Sequence, residues 1–363
     1  MGMDSSPFPY QGPLEPGQVR GRDELVRDLT ERVTERRVTA LLGPRRYGKT
    51  SVLRRVTADL SEVTPVWVDL YEVTSMADVA VRFDEALGAT AGRFAEAARR
   101  IAATVALTLG VIRVEFTRPA RARPDPSVMF HSLLSVLVGA AVRTPTLLVI
   151  DEFSSISRVP GAAGALRTAL QHHYQELGIV FAGSQPSMMR SLFTDRPEPF
   201  YGQADLLNIE PLSVAAVEEV VTAGFTSTGR EPGNSASLIF ALTSGHPQRV
   251  MQLADATWRR TKKGTTAGAD EWAEGLADVR RATAEGMERI YSGFEDSERT
   301  VLRSVAQAGN IYGTEAALLD LSAGAASRAR QKLLDGGDLA DTASGLKVVD
   351  PLLCDWLRQR FRL

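Results

Sequence analysis

The residues from Gly43 to Ser51 read GPRRYGKTS, a Gly-x4-Gly-Lys-Thr string whose reading decides the fold. The short apolar run Val38–Leu42 precedes it, and Lys49–Leu60 follows with helical character. A turn between a buried strand and a helix points backbone N–H groups inward, beside the partial positive charge of the helix N-terminus. That arrangement suits a phosphate. Glycine is needed where the chain bends unusually and must approach an oxygen closely, and Gly43 and Gly48 occupy those places. In this pattern Lys49 reaches the β- and γ-phosphates and the Thr50 hydroxyl ligates Mg²⁺. Pro44 and Ser51 complete the expected phosphate site. Arg45 and Arg46 fill variable positions and are expected to face solvent.

A second strand supports the first. Leu147-Leu148-Val149-Ile150 is apolar and ends in Asp151-Glu152. The first acid suits the water shell of Mg²⁺, and the second suits orienting or deprotonating an attacking water. Having Glu152 beside Asp151 argues for hydrolysis rather than binding alone. Further strand candidates are Pro65–Leu70, Val111–Phe116, Ile179–Ser184 and Leu206–Ile209. Helical patterns run over Glu24–Arg36, Met76–Leu107, about Ser127–Val142 and about Gly164–Leu177. Strands that are apolar on both faces and alternate with helices predict an α/β fold, with a mainly parallel sheet covered by helices on both faces. Beyond Pro211 the pattern is helical to about residue 290. The tail from Ser297 holds three short helical patterns and a strand at Leu346-Lys347-Val348-Val349.

The chain has 363 residues, 44% of them apolar, enough to bury a full core in two or three domains. Its 42 basic and 44 acidic residues create no whole-chain field that demands nucleic acid or an anionic membrane. A single cysteine, Cys354, excludes an internal disulfide and a four-cysteine zinc site and fits a reducing cytosol. The proline-rich N-terminus reads as an extended arm. The most apolar long uncharged run, Pro126–Val142, is at the short limit for a bilayer span and is interrupted by His131 and three serines. The expectation is a cytoplasmic protein with no membrane segment. His172-His173 lacks further ligands at metal spacing and reads as a helix-surface feature.

Taken together, these residues resemble the archaeal-type ATPases of the STAND class, relatives of AAA+ and origin-recognition ATPases. Val19-Arg20-Gly21-Arg22-Asp23-Glu24-Leu25 is similar to that family's adenine-pocket segment, which implies a base-side role for Arg22. GPRRYGKTS and LLVIDEF look like its Walker motifs. Phe181-Ala182-Gly183-Ser184, followed by Met188, Met189 and Phe193, looks like its sensor-1 strand and helix, with Ser184 reading the γ-phosphate. Gly245-His246-Pro247 looks like the lid turn that approaches base or ribose, and Arg249 just after it suits a sensor-2-like contact or a helix surface. Val348-Val349-Asp350-Pro351-Leu352-Leu353 with Trp356 is similar to the closing segment of the family. One departure stands out. Where the family shows Tyr-Gly-Arg, at the arginine-finger place of AAA+ proteins, this chain has Tyr201-Gly202-Gln203. A glutamine lacks the charge that stabilises a transferring phosphoryl group, so either hydrolysis is slow, or another arginine such as Arg196 substitutes, or the chain does not act through ring-type trans-activation.

The resemblance implies an arm at 1–18, a P-loop ATPase domain at 19–211, a helical lid at 212–290 and a winged helix at 291–363. In the winged helix, Ser297–Gly309, Gly313–Ser322 and Ala325–Asp335 would be the helices. Ala325, Ala329 and Leu333 would form the inward stripe of the third, with Arg328, Arg330 and Lys332 outside it. Trp258-Arg259-Arg260-Thr261-Lys262-Lys263, the densest basic run, reads as cations closing a helix C-terminus; Arg118, Arg121 and Arg123 lie in an expected loop. The implied activity is Mg²⁺-dependent ATP binding and slow hydrolysis to ADP. It is used as a nucleotide-controlled switch that acts through the winged helix on a protein partner or a self-assembly. The alternative is a loader or remodeller that binds duplex DNA through Arg328, Arg330 and Lys332.

Overall fold

The computed structural model describes residues 5–104, 125–311, 322–342 and 345–361. The expected strand Val111–Phe116, Arg118, Arg121 and Arg123 of the loop after it, and all but the last residue of the expected helix Gly313–Ser322 lie outside them. Two compact units emerge, each built from non-contiguous segments. One holds 24–43 and 52–209; the other holds 1–23, 44–51 and 210–363.

The first unit is organised around a five-stranded sheet. Its strands are β1 (Thr39–Leu42), β2 (Thr64–Asp69), β3 (Thr146–Asp151), β4 (Leu177–Gly183) and β5 (Asp205–Asn208). They lie in the order β2-β3-β4-β1-β5, and every pairing is parallel. Every residue of β1, β3 and β4 is buried, while the edge strands β2 and β5 are partly exposed. This is why the three interior strands are unbroken apolar runs rather than alternating ones. The flanking helices are α1 (Asp23–Thr34), α2 (Lys49–Asp59), α3 (Met76–Gly88), α4 (Gly92–Thr104), α5 (Pro126–Ala141), α6 (Ala162–Leu170) and α7 (Pro186–Thr194). Leu148, Ile150, Ile179 and Phe181 from the sheet join Phe83, Phe130, Leu133 and Leu166 from the helices in one core. This is the α/β fold of P-loop ATPases.

One expectation needs correction here. The helix expected over Gly164–Leu177 stops at Leu170, and His172-His173 lie in the turn after it, not on a helix surface. The reason is register: Leu177 pairs with Thr146 of β3, so β4 begins two residues before Ile179. The stretch from Met76 is helical as expected among the described residues, in two helices divided at residues 89–91.

The second unit carries α8 (Val214–Ser227), α9 (Ser235–Thr243), α10 (Pro247–Arg260) and α11 (Ala269–Ser292). These are followed by α12 (Asp296–Ala308), α13 (Ala323–Gly336), the antiparallel pair β6 (Leu339–Thr342) and β7 (Gly345–Val348), and α14 (Pro351–Arg360). Val217, Val221, Phe225, Leu253, Leu302, Leu333 and Leu357 share its core, and Phe8 from the expected extended arm is buried among them. The inward stripe of α13 is Ala326, Ala329 and Leu333, not Ala325, which is only partly buried. Arg259 and Arg260 do close α10, paired with Asp255 and with Asp278 and Glu274. No helix among the described residues is long and apolar enough to cross a membrane.

Candidate functional site

In a parallel sheet all carboxyl ends emerge at one edge, and ligands bind outside that edge where the strand order reverses. Here β1 meets β4 on one side and β5 on the other, so the chain after β1 leaves from such a place. It leaves at Gly43, where a Cβ would stand 2.1 Å from Cγ2 of Ile209. Crowding therefore demands glycine at that position. Gly48 is required for a different reason: its φ is 87°, and a Cβ there would meet nothing within 4 Å. Arg46 also has positive φ, 68°. Left-handed residues alternating with ordinary ones make the concave row of amides that binds anions. The loop ends on the N-terminus of α2, which starts at Lys49. The Lys49 ammonium is buried and donates to the Pro44 carbonyl at 2.9 Å, so it lies over the loop it follows. Thr50 is the next residue of the same turn, and Ser51, also buried, accepts from the Leu14 amide at 2.9 Å.

Around this loop, within its own unit, lie the side chains expected on the base side. Arg22 is largely buried, and burial pulls its guanidinium down to about 10, opposed by Tyr47 and Glu210. Its Nη2 finds no hydrogen-bond partner among the described residues. A buried donor left open costs free energy and suits an acceptor that arrives with a ligand. Burial, then the Glu210 carboxylate, pushes the Tyr47 phenol up to about 12. Tyr47 packs edge-on against His246, with ring centroids 5.0 Å apart.

His246 caps α10, its Nδ1 accepting from the Arg249 amide at 3.4 Å, and Pro247 occupies the first helical position. Gly245, at φ 80°, lies so close to Leu212 that a Cβ would stand 2.0 Å from its carbonyl oxygen. Arg249 is buried and spans the Asp350 carboxylate, its Nε at 3.0 Å from Oδ1 and Nη2 on Oδ2, while Nη1 donates to Gln252 at 2.6 Å. It is therefore not a helix-surface arginine. Arg45 and Arg46 are exposed, as expected, and the Arg46 guanidinium also comes within 3.8 Å of the same Asp350 carboxylate. Asp350 also caps α14 by accepting from the Leu352 amide at 3.0 Å. Burial raises its carboxyl, but the Arg249 hydrogen bonds and charge outweigh this and hold it below the usual carboxylate range.

The sheet unit holds the other chemistry. Asp151 is buried at the end of β3, and its Oδ1 accepts from the Glu152 amide at 3.0 Å. Glu152 adopts a left-handed conformation, φ 50°, uncommon for a non-glycine residue and frequent at functional positions. This turn aims its carboxylate at Ser184, whose hydroxyl donates to Oε2 at 2.7 Å and whose amide donates at 3.3 Å. Ser184 follows β4, the strand directly between β3 and β1, so the structure brings Glu152 and Ser184 together. Phe153, Phe181, Phe193 and Phe200 stack under them, with centroids 4.4 to 6.0 Å apart. Phe200 thereby anchors the Tyr201-Gly202-Gln203 turn. Gln203 spends its amide on the Tyr201 carbonyl at 3.4 Å, and Arg196 is exposed. Among the described residues no group of three His, Cys, Asp or Glu side chains could hold a metal. The expected Mg²⁺ ligands, the Thr50 hydroxyl in one unit and the Asp151 carboxylate in the other, are hard oxygens, the donor type that Mg²⁺ prefers.

No protein-family model and no curated protein matches the chain. Solved structures do match over nearly its whole length. A Walker-type ATPase of Pyrococcus abyssi is 17% identical with a TM-score of 0.72, covering 97% of this chain and 99% of that one. The Aeropyrum pernix ORC2 protein in its ADP form is 14% identical with a TM-score of 0.54, covering 98% of each chain. The Aeropyrum pernix ORC1 protein in complex with DNA is 14% identical with a TM-score of 0.51, covering 94% of this chain and 93% of that one. At these identities the likeness establishes the fold.

Two predictions follow from the buried cluster. Asp350→Asn keeps the cap of α14 but strips Arg249 of its counter-charge. It should lower unfolding free energy by about 3 kcal/mol, read from urea melts, and Arg249→Met in the same chain should recover part of the loss. Burial, opposed by Asp350 and helped by Arg249, brings His246 down to about 4, below the ordinary 6.5 of an unfolded chain. The unfolded chain then binds a proton that the folded one refuses, so stability is full above pH 6.5 and falls as pH drops toward 4. The loss between pH 7 and pH 5 should be about 2 kcal/mol. His246→Asn, which still caps α10, should lose markedly less over that interval; an unchanged slope would refute the assignment.

Proposed function

We propose that this chain binds ATP and hydrolyses it slowly to ADP, and that the change of nucleotide alters its carboxyl-terminal helices so as to control a protein partner or an assembly. The observation that carries this reading is the Gly43–Ser51 loop. It has one glycine forced by crowding, one forced by backbone conformation, alternating left-handed residues and a buried lysine opening a helix. Support comes from the acid pair at the end of β3, with Glu152 held by Ser184, and from the fold shared with a Walker-type ATPase.

In this reading the loop amides and Lys49 hold the phosphates. Gly43 and Pro44 lead the backbone in, and Arg22, Pro247 and Arg249 belong to the base side. Thr50 and Asp151 hold Mg²⁺, which when bound offsets negative charge on the phosphates. Glu152 takes a proton from the attacking water, whose oxygen bonds to the γ-phosphorus as the bond to the bridging oxygen breaks and its electron pair leaves with ADP, so that ADP and phosphate result. Ser184 orients Glu152 and meets the γ-phosphate. Gln203 supplies no charge at that oxygen, so turnover is slow. Residues 1–18, 19–211, 212–290 and 291–363 act as arm, ATPase domain, lid and winged helix, in the cytoplasm.

The main coupling element is Asp350. It touches Arg46 of the phosphate loop and Arg249 of α10 while opening α14. Any nucleotide that draws Arg46 or Arg249 away has a differential interaction with two states of this cluster, which is what a switch requires. Duplex DNA is a second reading, favoured by the fold shared with an ORC1 protein solved on DNA. The cations of α13 argue against it: Arg330 is paired with Asp341, and Lys332 with Glu295 and Glu298, which leaves Arg328 exposed.

Calorimetry with Mg-ATP and phosphate-release assays test the proposal. Lys49→Ala should weaken ATP binding by about a hundredfold or more. Glu152→Gln should keep binding but reduce turnover about a hundredfold or more. Turnover unchanged in Glu152→Gln would exclude its role as base. In a separate titration, the protein should show no salt-dependent affinity for duplex DNA at low salt; tight binding lost on Arg328→Ala would favour the DNA reading instead.

A further inference from the structure

The amino-terminal segment makes contacts that nucleotide chemistry does not explain. Phe8 is 2% exposed. Its ring lies 5.7 Å from that of Phe225 and fills the space above Gly224, where a Cβ would stand 2.2 Å from Phe8 Cζ. Gly224 lies inside α8, where glycine otherwise weakens a helix; here its lack of a side chain makes the seat for the ring. Two residues on, the Tyr10 carbonyl accepts from Gln248 Nε2 at 3.1 Å. The segment then reaches the phosphate loop. The Leu14 amide donates to Ser51 Oγ at 2.9 Å across 37 residues of sequence. A short 3-10 turn, Pro16–Gln18, closed by Gln18 Oε1 on the Glu15 amide, delivers the chain to the buried Val19 and on to Arg22.

A serine in the first turn of a helix usually spends its hydroxyl on its own backbone or on water. Ser51 instead receives a distant amide, directly after the lysine and threonine on which phosphate binding depends. The segment is held on α8, on α10 and on Ser51 in the first turn of α2, all residues of one unit. Its one large apolar anchor is the ring of Phe8.

We propose that residues 5–19 are a positioning strap for the phosphate loop. Docking of Phe8 on Gly224 and Phe225 holds the Leu14 amide against Ser51, and this fixes the start of α2 where Lys49 and Thr50 meet the phosphates. Ser51 is then a positioning residue and not a phosphate contact. The inference rests on the nucleotide reading of the loop. Undocking converts the chain into a population of which only a fraction is competent, and the apparent dissociation constant rises by the inverse of that fraction.

The test uses the full chain, Mg-ADP calorimetry and hydrogen exchange at the Leu14 amide. In the wild type that amide should be protected. In Phe8→Ala and in Ser51→Ala it should exchange like the exposed Gln11 and Gly12 amides, and ADP should bind about tenfold more weakly. Phe8→Leu should restore most of both, and urea midpoints should identify any variant that loses its fold. Gly224→Ala should reproduce the Phe8→Ala defect and add little to it in the double variant. ADP affinity within about twofold of wild type in a folded Phe8→Ala chain with an unprotected Leu14 would overturn the strap. Absence of ADP binding by the wild type would instead overturn the nucleotide reading, and the role of the strap with it.

Discussion

Strand β1 is hydrogen-bonded on both sides at once, to β4 and to β5, with every residue buried. A four-residue strand so enclosed has no freedom to shift, because a slip of one residue would reverse every side chain. The turn after it inherits that rigidity. Gly43 leaves the sheet against Ile209, and the loop must follow from a point set to within the tolerance of core packing. The same enclosure places Ser184 on the neighbouring strand and Asp151 one strand further, about 10 Å from β1 by ordinary strand spacing. What the molecule can do chemically is thus fixed first by a sheet and only then by side chains.

Electrostatics supply the second layer. Buried ionic groups contribute to stability only when fully partnered, and the Asp350 cluster meets that condition unevenly. Arg249 takes both oxygens, while Arg46 stands at the edge of contact. His246, neutral and packed on Tyr47, fills the apolar side of the same place.

Much of this was legible in the sequence, for a physical reason. Strands buried on both faces have to be apolar throughout, and their polar tips then stand out, so Asp151-Glu152 and Ser184 were readable without neighbours. Gly43 and Gly48 were readable because only glycine satisfies their constraints. What was hidden has no period and no local signature. The Arg249–Asp350 pair spans 101 residues, and a lone phenylalanine among prolines gives no sign that it will fill a helix. The end of α6 was missed because the pairing of Leu177 with Thr146 overrode local helical tendency. The inward stripe of α13 was off by one position because a run of alanines offers two nearly equal faces. The approach of Arg46 to Asp350 was hidden because variable loop positions carry no motif, and the identity of a partner is settled only in three dimensions.

The seat of Phe8 also constrains the order in which the protein can be made. A ribosome adding about 5–20 residues per second delivers Phe8 long before Gly224, with more than two hundred residues between them. The sheet, completed by Ile209, can form from the emerged chain while the amino terminus still has nothing to dock on. Arm, loop and carboxyl-terminal helices can close only in the last part of synthesis. The nascent chain can therefore complete its sheet before the Gly43–Ser51 loop gains the support of the arm.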